Sequence, residues 1–348
     1  MDSFLVSSLN SYAQSLPDTT ALRDTTLIQA LIDSSYENSY SDPNRAIEFA
    51  NEALKLSNEI DFKKGTAGAH RELGHAFTTK GKFQKALKHY NEGIAISRAM
   101  WDSLGWVSML NDVGTSYKSM SEYDRSLEYF FDALAICEEM KLERGVSATL
   151  GNIGLSYFEM NEHDKALEFY QRALEINQRL DNKASLAVNY NNIGLLLGDE
   201  GRYEQAHEFH SKALEIRRKL DYKIEIANSL NNIGRLHMQQ NQPERAIQHL
   251  SEALEVNDGR DPDLSSIIHE NLSKLYISTE QFNSALIHAR HTLELSKDYG
   301  TKLGEKIAYE LLAEIYEKQG QYEQAYENQK KVDGCQRQYF KRRKITAN

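Results

Sequence analysis

The sequence predicts an all-α chain, one helix pair repeated about eight times and stacked into an α-solenoid. Three observations carry this: a tetrapeptide that returns every 40 residues, small residues at fixed places in each period, and only 4 prolines in 348 residues. The tetrapeptide runs Arg-Glu-Leu-Gly (71–74), Asn-Asp-Val-Gly (111–114), Gly-Asn-Ile-Gly (151–154), Asn-Asn-Ile-Gly (191–194) and Asn-Asn-Ile-Gly (231–234). Twelve residues after each glycine stands a small residue: Ala86, Ser126, Ala166, Ala206 and Ala246. The series extends back to Ala46 and on to Ala285 and Ala325, at a spacing of 40 except for 39 between Ala246 and Ala285. Seven residues further on come Ala53, Gly93, Ala133, Ala173, Ala213 and Ala253, with Thr292 and Val332 closing the series.

Each period reads as two helices. In the fourth, Val146, Leu150, Ile153, Gly154 and Tyr157 recur at helical spacing. A polar turn, Met160 to Asp164, follows. Ala166, Leu167, Phe169, Tyr170, Ala173, Leu174 and Ile176 then form a second stripe. A glycine inside a helix costs about 1 kcal/mol relative to alanine. Its return at Gly74, Gly114, Gly154, Gly194 and Gly234 therefore predicts close helix crossings, where a ring or Leu of the neighbour fills the gap. One pair cannot bury both faces, so the pairs must stack. Pro43 and Pro243 share a position with Phe83, Tyr123, His163, Tyr203, Phe282 and Tyr322, which predicts the first turn of each second helix, where no N–H is needed. Pro262 follows Asn257-Asp258-Gly259-Arg260-Asp261, the strongest internal break, and Pro17 precedes the first unit. The organisation expected is a capping segment at 1–19, a solenoid over 20–335 with a kink near 258–262, and a basic capping or linker helix at 336–348.

Composition removes several functions. A net charge of −10 argues against nucleic-acid binding by the solenoid. No apolar run is long enough to span a bilayer, and the start Met1-Asp2-Ser3-Phe4-Leu5-Val6 lacks the form of a signal peptide. Cys137 and Cys335 cannot frame disulfides or a four-cysteine zinc site; they fit a reducing compartment, and a cytoplasmic chain is expected. No His-Glu-x-x-His, phosphate loop or G-x-S-x-G elbow occurs, so neither an enzyme nor a cofactor is expected. His207 with His210 and His288 with His291 stand three apart on a helical face, a spacing open to a metal. His210, however, fills the column of Tyr90, Phe130 and Tyr170, a packing position, and no metal site is expected.

The order Gly, aromatic (Phe77, Tyr117, Tyr157, Tyr276, Tyr316), Ala, Ala resembles tetratricopeptide repeats (TPR), over roughly residues 20–335. The usual period is 34 with a closing proline. The period of 40 without it is similar to the longer repeats of kinesin light chains and LGN/Pins scaffolds. Ser15 to Thr20 and Tyr40 to Pro43 are similar to bacterial TPR signalling proteins, whose repeats precede a kinase, cyclase or DNA-binding output. The resemblance implies a right-handed superhelix whose concave groove is lined by the first helix of each pair. The residue two before the glycine then faces the groove: Glu72, Asp112, Asn152, Asn192, Asn232 and Asn271. Beside it run Arg71, Asn111, Asn191 and Asn231, and after the glycine position come His75, Arg235 and Lys274. Related proteins use such asparagines, each with a donor and an acceptor, to hold the backbone of an extended peptide. The groove so read has an acidic N-terminal end and a basic stretch at Arg235 and Lys274.

The expected function is a non-enzymatic module that binds a protein or peptide segment, in bacterial signalling, as the regulatory part of a larger protein. The alternatives are an assembly scaffold that self-associates, as in a homodimer, and a peptide-responsive regulator of the quorum-sensing phosphatase type. The latter carries a helical bundle before its repeats, where about 20 residues stand in this sequence. Arg337, Lys341, Arg342, Arg343 and Lys344, interleaved with Tyr339 and Phe340, read as a polar cap or a linker toward an output domain.

Overall fold

The computed structural model describes the backbone of residues 20–346 and the side chains of 24–335. The segment 1–19 with Pro17, and the side chains of Arg337, Tyr339, Phe340 and Lys341 to Lys344, lie outside the described residues. Among the described residues the chain is sixteen α-helices joined by short turns. The first helices of the pairs are α1 (Thr20–Asn38), α3 (Lys63–Thr79), α5 (Ser103–Ser119), α7 (Glu143–Glu159), α9 (Lys183–Asp199), α11 (Lys223–Gln239), α13 (Pro262–Ser278) and α15 (Lys302–Lys318). The second helices are α2 (Pro43–Glu59), α4 (Phe83–Ala99), α6 (Tyr123–Glu139), α8 (His163–Arg179), α10 (Tyr203–Lys219), α12 (Pro243–Asn257), α14 (Phe282–Asp298) and α16 (Tyr322–Thr346). Pro43, Pro243 and Pro262 each occupy the first turn of a helix.

The turns explain the period. Apart from α1, α12 and α16, each helix has 17 residues and is followed by a turn of three more. After α5, the Ser121 N–H donates to the Lys118 carbonyl (2.8 Å) and the Glu122 N–H to the Tyr117 carbonyl (3.0 Å), the paired bonds of a Schellman cap. Such a cap needs one left-handed residue. It is glycine at Gly81, Gly201, Gly300 and Gly320, aspartate or asparagine at Asp61, Asn161, Asp181, Asp221 and Asn241, and Trp101, Ser121, Lys141 or Glu280 at the remaining turns of this kind. After α12 the pattern shortens: this helix has 15 residues, and Asp258 and Gly259 are both left-handed (φ 45° and 70°). Asn257 then bridges to the Asp261 carbonyl (2.7 Å) and to Ser265 Oγ (2.7 Å), which closes the one-residue deletion.

The chain divides into two compact units, Met1–Ile176 and Asn177–Asn348. In the first, Leu127, Phe130, Leu150, Ile153, Phe169 and Ala173 form one of the buried clusters. The second is built around Leu230, Ile233, Ala246, Leu250, Ile268 and Leu272, with a further cluster at Leu311, Leu312 and Ile315. Within each unit successive first helices touch: α1, α3, α5 and α7 in one, α9, α11, α13 and α15 in the other. Their polar columns therefore lie side by side.

The recurring glycine of the first helix meets a ring of the second at Gly74, Gly114, Gly154 and Gly194, and Leu250 at Gly234. A Cβ on Gly114 would stand 2.6 Å from Phe130 Cε1, and one on Gly154 2.6 Å from Tyr170 Cδ1. Three residues on, the aromatic of the first helix stacks on another ring of the second. Tyr117 lies on Tyr129 (centroids 5.4 Å apart, planes 19°) and Tyr157 on Phe169 (5.5 Å, 15°). Arg125 and Lys165 lie over the exposed side of Tyr117 and Tyr157. At Gly194 the facing ring is His210, 1% exposed, with Nδ1 buried and unpartnered. Burial, with Arg217 nearby, pushes its pKa down to about 3.

Gly154→Ala should destabilise the fold by about 1–3 kcal/mol although alanine is the better helix former, because Tyr170 must move. Gly151→Ala, with open space at its Cβ, should stabilise by about 0.5–1 kcal/mol. Urea unfolding of the two variants checks the pair. His210 carries a second expectation. Its folded pKa lies below the unfolded 6.5, so its contribution is present above pH 6.5 and is lost as pH falls toward 3. His210→Phe should therefore gain about 2 kcal/mol more over wild type at pH 5 than at pH 8, read from the same unfolding curves.

Candidate binding face

Residues four, and then three, apart share a face of a helix. On α9 this places Val188, Asn192 and Leu195 together; on α11, Asn228, Asn232 and Arg235; on α13, Ile267, Asn271 and Lys274. In the first unit the same positions hold Glu72 and His75 on α3, Asp112 and Thr115 on α5, and Asn152 and Leu155 on α7. The expected groove residues thus fall into two groups, one in each compact unit.

In the first unit the charged residues close on one another. Arg71 Nε donates to Asp112 Oδ2 at 2.6 Å, and His75 Nε2 lies 3.1 Å from the same oxygen. His75 Nδ1 lies 3.1 Å from Glu72 Oε2. Burial alone would push the His75 pKa down; the hydrogen bonds to Asp112 and Glu72 outweigh it and hold the value up at about 9. The imidazolium then donates from both nitrogens. Burial would raise the Asp112 pKa, but the His75 hydrogen bond and the His75 and Arg71 charges hold it below the usual carboxylate range. Two cations balance two carboxylates, so the acidic end anticipated from Glu72 and Asp112 is neutralised.

The asparagines pair between neighbouring first helices. Asn152 Nδ2 donates to Asn111 Oδ1 (3.0 Å), while Asn111 Nδ2 donates to the Val107 carbonyl (3.0 Å) and to Thr149 Oγ1 (3.1 Å). In the second unit Asn232 Nδ2 donates to Asn191 Oδ1 and Asn271 Nδ2 to Asn231 Oδ1, both at 2.9 Å. Each donor keeps one N–H and its own oxygen for another partner. Asn192, half-buried, makes no side-chain hydrogen bond among the described residues. Arg235 is exposed and without an ion pair among them, whereas Lys274 is held by Glu270 at 2.5 Å. The basic stretch read from the sequence therefore reduces to Arg235. Val188 and Ile267, 50% and 47% exposed, add apolar area to this face, which the asparagine pattern gave no reason to expect. Their signal was available, four residues before the asparagine column.

The other histidines sort by contact. His210 packs inside its pair; His288 Nδ1 lies 2.8 Å from His269 Nδ1, and the His291 ring stacks on His269 (4.9 Å, 23°). A set that sequence reading passed over, His70, His89 and Glu92, converges on the side of α3 and α4. Its signal was positional, because His70 and His89 share their repeat positions with His269 and His288.

Helix pairs of this length, with a small residue of the first helix against a ring or leucine of the second at five successive crossings and polar columns on adjoining first helices, define a repeat protein of the interaction type. The chain is a tetratricopeptide repeat protein. Models described as tetratricopeptide repeat match residues 107–179 and 185–258, and another of that description matches 307–337. Repeats of this family bind proteins and peptides. No curated protein matches the sequence significantly. Among solved structures, the chain is similar to the quorum sensor NprR from B. thuringiensis at 14% identity, with a TM-score of 0.65 over 96% of this chain and 93% of that one. It is similar to aspartyl phosphate phosphatase F from Bacillus subtilis at 14% identity (TM-score 0.63; 96% and 88% covered). It is also similar to BtubC (BKLC) from P. vanneervenii at 21% identity (TM-score 0.51; 70% and 93% covered). At these identities the likeness is one of fold. Among the described residues no helix is long and apolar enough to cross a membrane.

Between pH 6.5 and 9 the folded chain keeps a proton on His75 that the unfolded chain has lost. The contribution is complete below 6.5 and disappears as pH rises through about 9, on the order of 3 kcal/mol in total. Unfolding free energies at pH 6 and pH 9.5 should differ by that amount more in wild type than in His75→Gln.

Proposed function

We propose that the chain is a non-catalytic module that binds an extended protein or peptide segment along the first helices of the 177–348 unit. The observation that carries this is the unpaired amide of Asn192 beside the half-used amides of Asn232 and Asn271. Helix axes at about 8–10 Å match roughly three residues of extended chain at about 3.3 Å each. An asparagine on each of α9, α11 and α13 can therefore meet the backbone of such a segment at every third residue. Amide-to-backbone bonds read little sequence; Val188 and Ile267 favour apolar side chains, and Arg235 favours a carboxylate or phosphate. In the 1–176 unit the corresponding charged groups are already paired, so Asn152 is the polar contact it offers.

The binding serves signalling in this reading, bacterial by the sources of the similar structures. The repeats act as the sensory part, and the output lies on the same or a separate chain. The fold shared with a quorum sensor supports this, as fold alone. Coupling along the stack would follow from cores shared between neighbouring pairs.

The structure separates binding from stability. Asn192→Ala removes no internal hydrogen bond and should change stability by less than about 0.5 kcal/mol. It should weaken a segment selected from a random peptide library about fivefold or more. Asn232→Ala takes the donor from buried Asn191 Oδ1 and should cost about 1–3 kcal/mol of stability. Fluorescence anisotropy with the selected peptide, alongside thermal melts, reads both. Undiminished affinity of Asn192→Ala, or a chain that only dimerises and selects no peptide, contradicts the proposal.

A further inference from the structure

We propose that His70, His89 and Glu92 form a binding site for a divalent transition-metal ion, zinc foremost, on the side of the α3–α4 pair. His70 Nδ1 lies 3.1 Å from His89 Nδ1, and Glu92 Oε2 lies 3.2 Å from the first and 3.7 Å from the second. A tetrahedral shell with metal–ligand bonds of about 2.0–2.1 Å has ligands about 3.3–3.4 Å apart. The three atoms thus sit close to the corners of one face of such a shell. Among the described residues this is the group of histidine, cysteine and carboxylate side chains whose three ligand atoms all lie within 4.8 Å of one another.

The surroundings suit a cation. Burial holds the pKa values of His70 and His89 below the ordinary imidazole value, although the Glu92 carboxylate pulls both upward, so both rings offer a lone pair at neutral pH. One proton can bridge the two Nδ1 atoms, yet the carboxylate oxygen converges on the same point, an excess of lone pairs that a cation relieves. The His89 ring is held in place by Phe77, stacked at 5.5 Å and 12°. Lys88 Nζ lies 3.9 Å from the other carboxylate oxygen, Oε1, and leaves Oε2 to the rings. A two-nitrogen, one-oxygen donor set favours zinc and its neighbours over magnesium or calcium, which require oxygen ligands throughout. Three protein ligands leave a fourth position for water or for a side chain of a partner. The site is distinct from the binding face, since His70 is two residues from Glu72 and so about 200° round the helix.

The seventh pair provides an internal control. His269 and His288 repeat the close Nδ1 pair at 2.8 Å, but His291 stands where Glu92 would and lays its ring against His269. The third converging donor is missing there.

The test uses the full, untagged chain stripped with chelator, titrated with zinc chloride by calorimetry and with cobalt(II) by visible absorption. One equivalent of zinc at micromolar affinity or tighter is expected, with a cobalt spectrum of tetrahedral intensity. Glu92→Gln, on the surface, and His89→Phe, which keeps a ring on Phe77, should each weaken zinc at least tenfold with the helical circular dichroism unchanged. His288→Phe should leave the affinity within twofold. Absence of stoichiometric zinc binding overturns the site. So does zinc binding that survives both Glu92→Gln and His89→Phe, or that is abolished by His288→Phe.

Discussion

The contact between the first-helix glycine and the ring of the second helix is the constraint on which the rest depends. Where Gly114 and Gly154 stand, the facing Phe130 and Tyr170 occupy the space of a Cβ. The two helices of a pair can then approach closely enough for a further layer, Tyr117 on Tyr129 and Tyr157 on Phe169, to close beside them. Helices of 17 residues and three-residue caps follow as the length that returns the chain to the same crossing. Because successive pairs keep a small residue at that crossing, Gly74 to Gly234 and then Ser273 and Ala313, the first helices within a unit lie side by side, and one position of the repeat becomes a column.

Those columns were legible in the sequence to different depths. The crossing was fully legible, because the close approach admits almost no side chain and so the residue type itself recurs. The left-handed caps were only partly legible: glycine, asparagine or aspartate holds most of them, but the bend also tolerates Trp101, Lys141 and Glu280 at a modest cost, so no one residue type recurs there. A third column was also hidden. Ser57, Ser97 and Cys137 press on Gly65, Gly105 and Gly145 of the next pair, where a Cβ would come within 3 Å. Later in the chain the same place is taken by Arg217, bonded to Ser229 at 2.6 Å, and by Asn257, bonded to Ser265, before Ser296 meets Gly304 in the old way, so the serine–glycine match is interrupted and no letter runs through every period.

The polar face shows a limit of another kind. An asparagine that awaits a ligand and an asparagine that ties two helices together are the same letter. Asn111, Asn152, Asn191, Asn231, Asn232 and Asn271 do tie helices, and only the geometry distinguishes Asn192 from them. The two roles are compatible. An amide fixed by one bond to its neighbour is already oriented, so a segment that uses its remaining groups need not order it again. The His70 and His89 convergence was similarly hidden, since 19 residues and a turn separate the two histidines and their meeting depends on the pair being closed.

The proposed binding face is made by the adjoining first helices of the 177–348 unit. Hydrogen–deuterium exchange of the full chain, with and without a segment selected from a random peptide library, tests it most directly. Added protection should concentrate in peptides from α9, α11 and α13 and leave those from α10 and α12 nearly unchanged. Protection confined to the second helices, or spread evenly over the chain, would contradict the account.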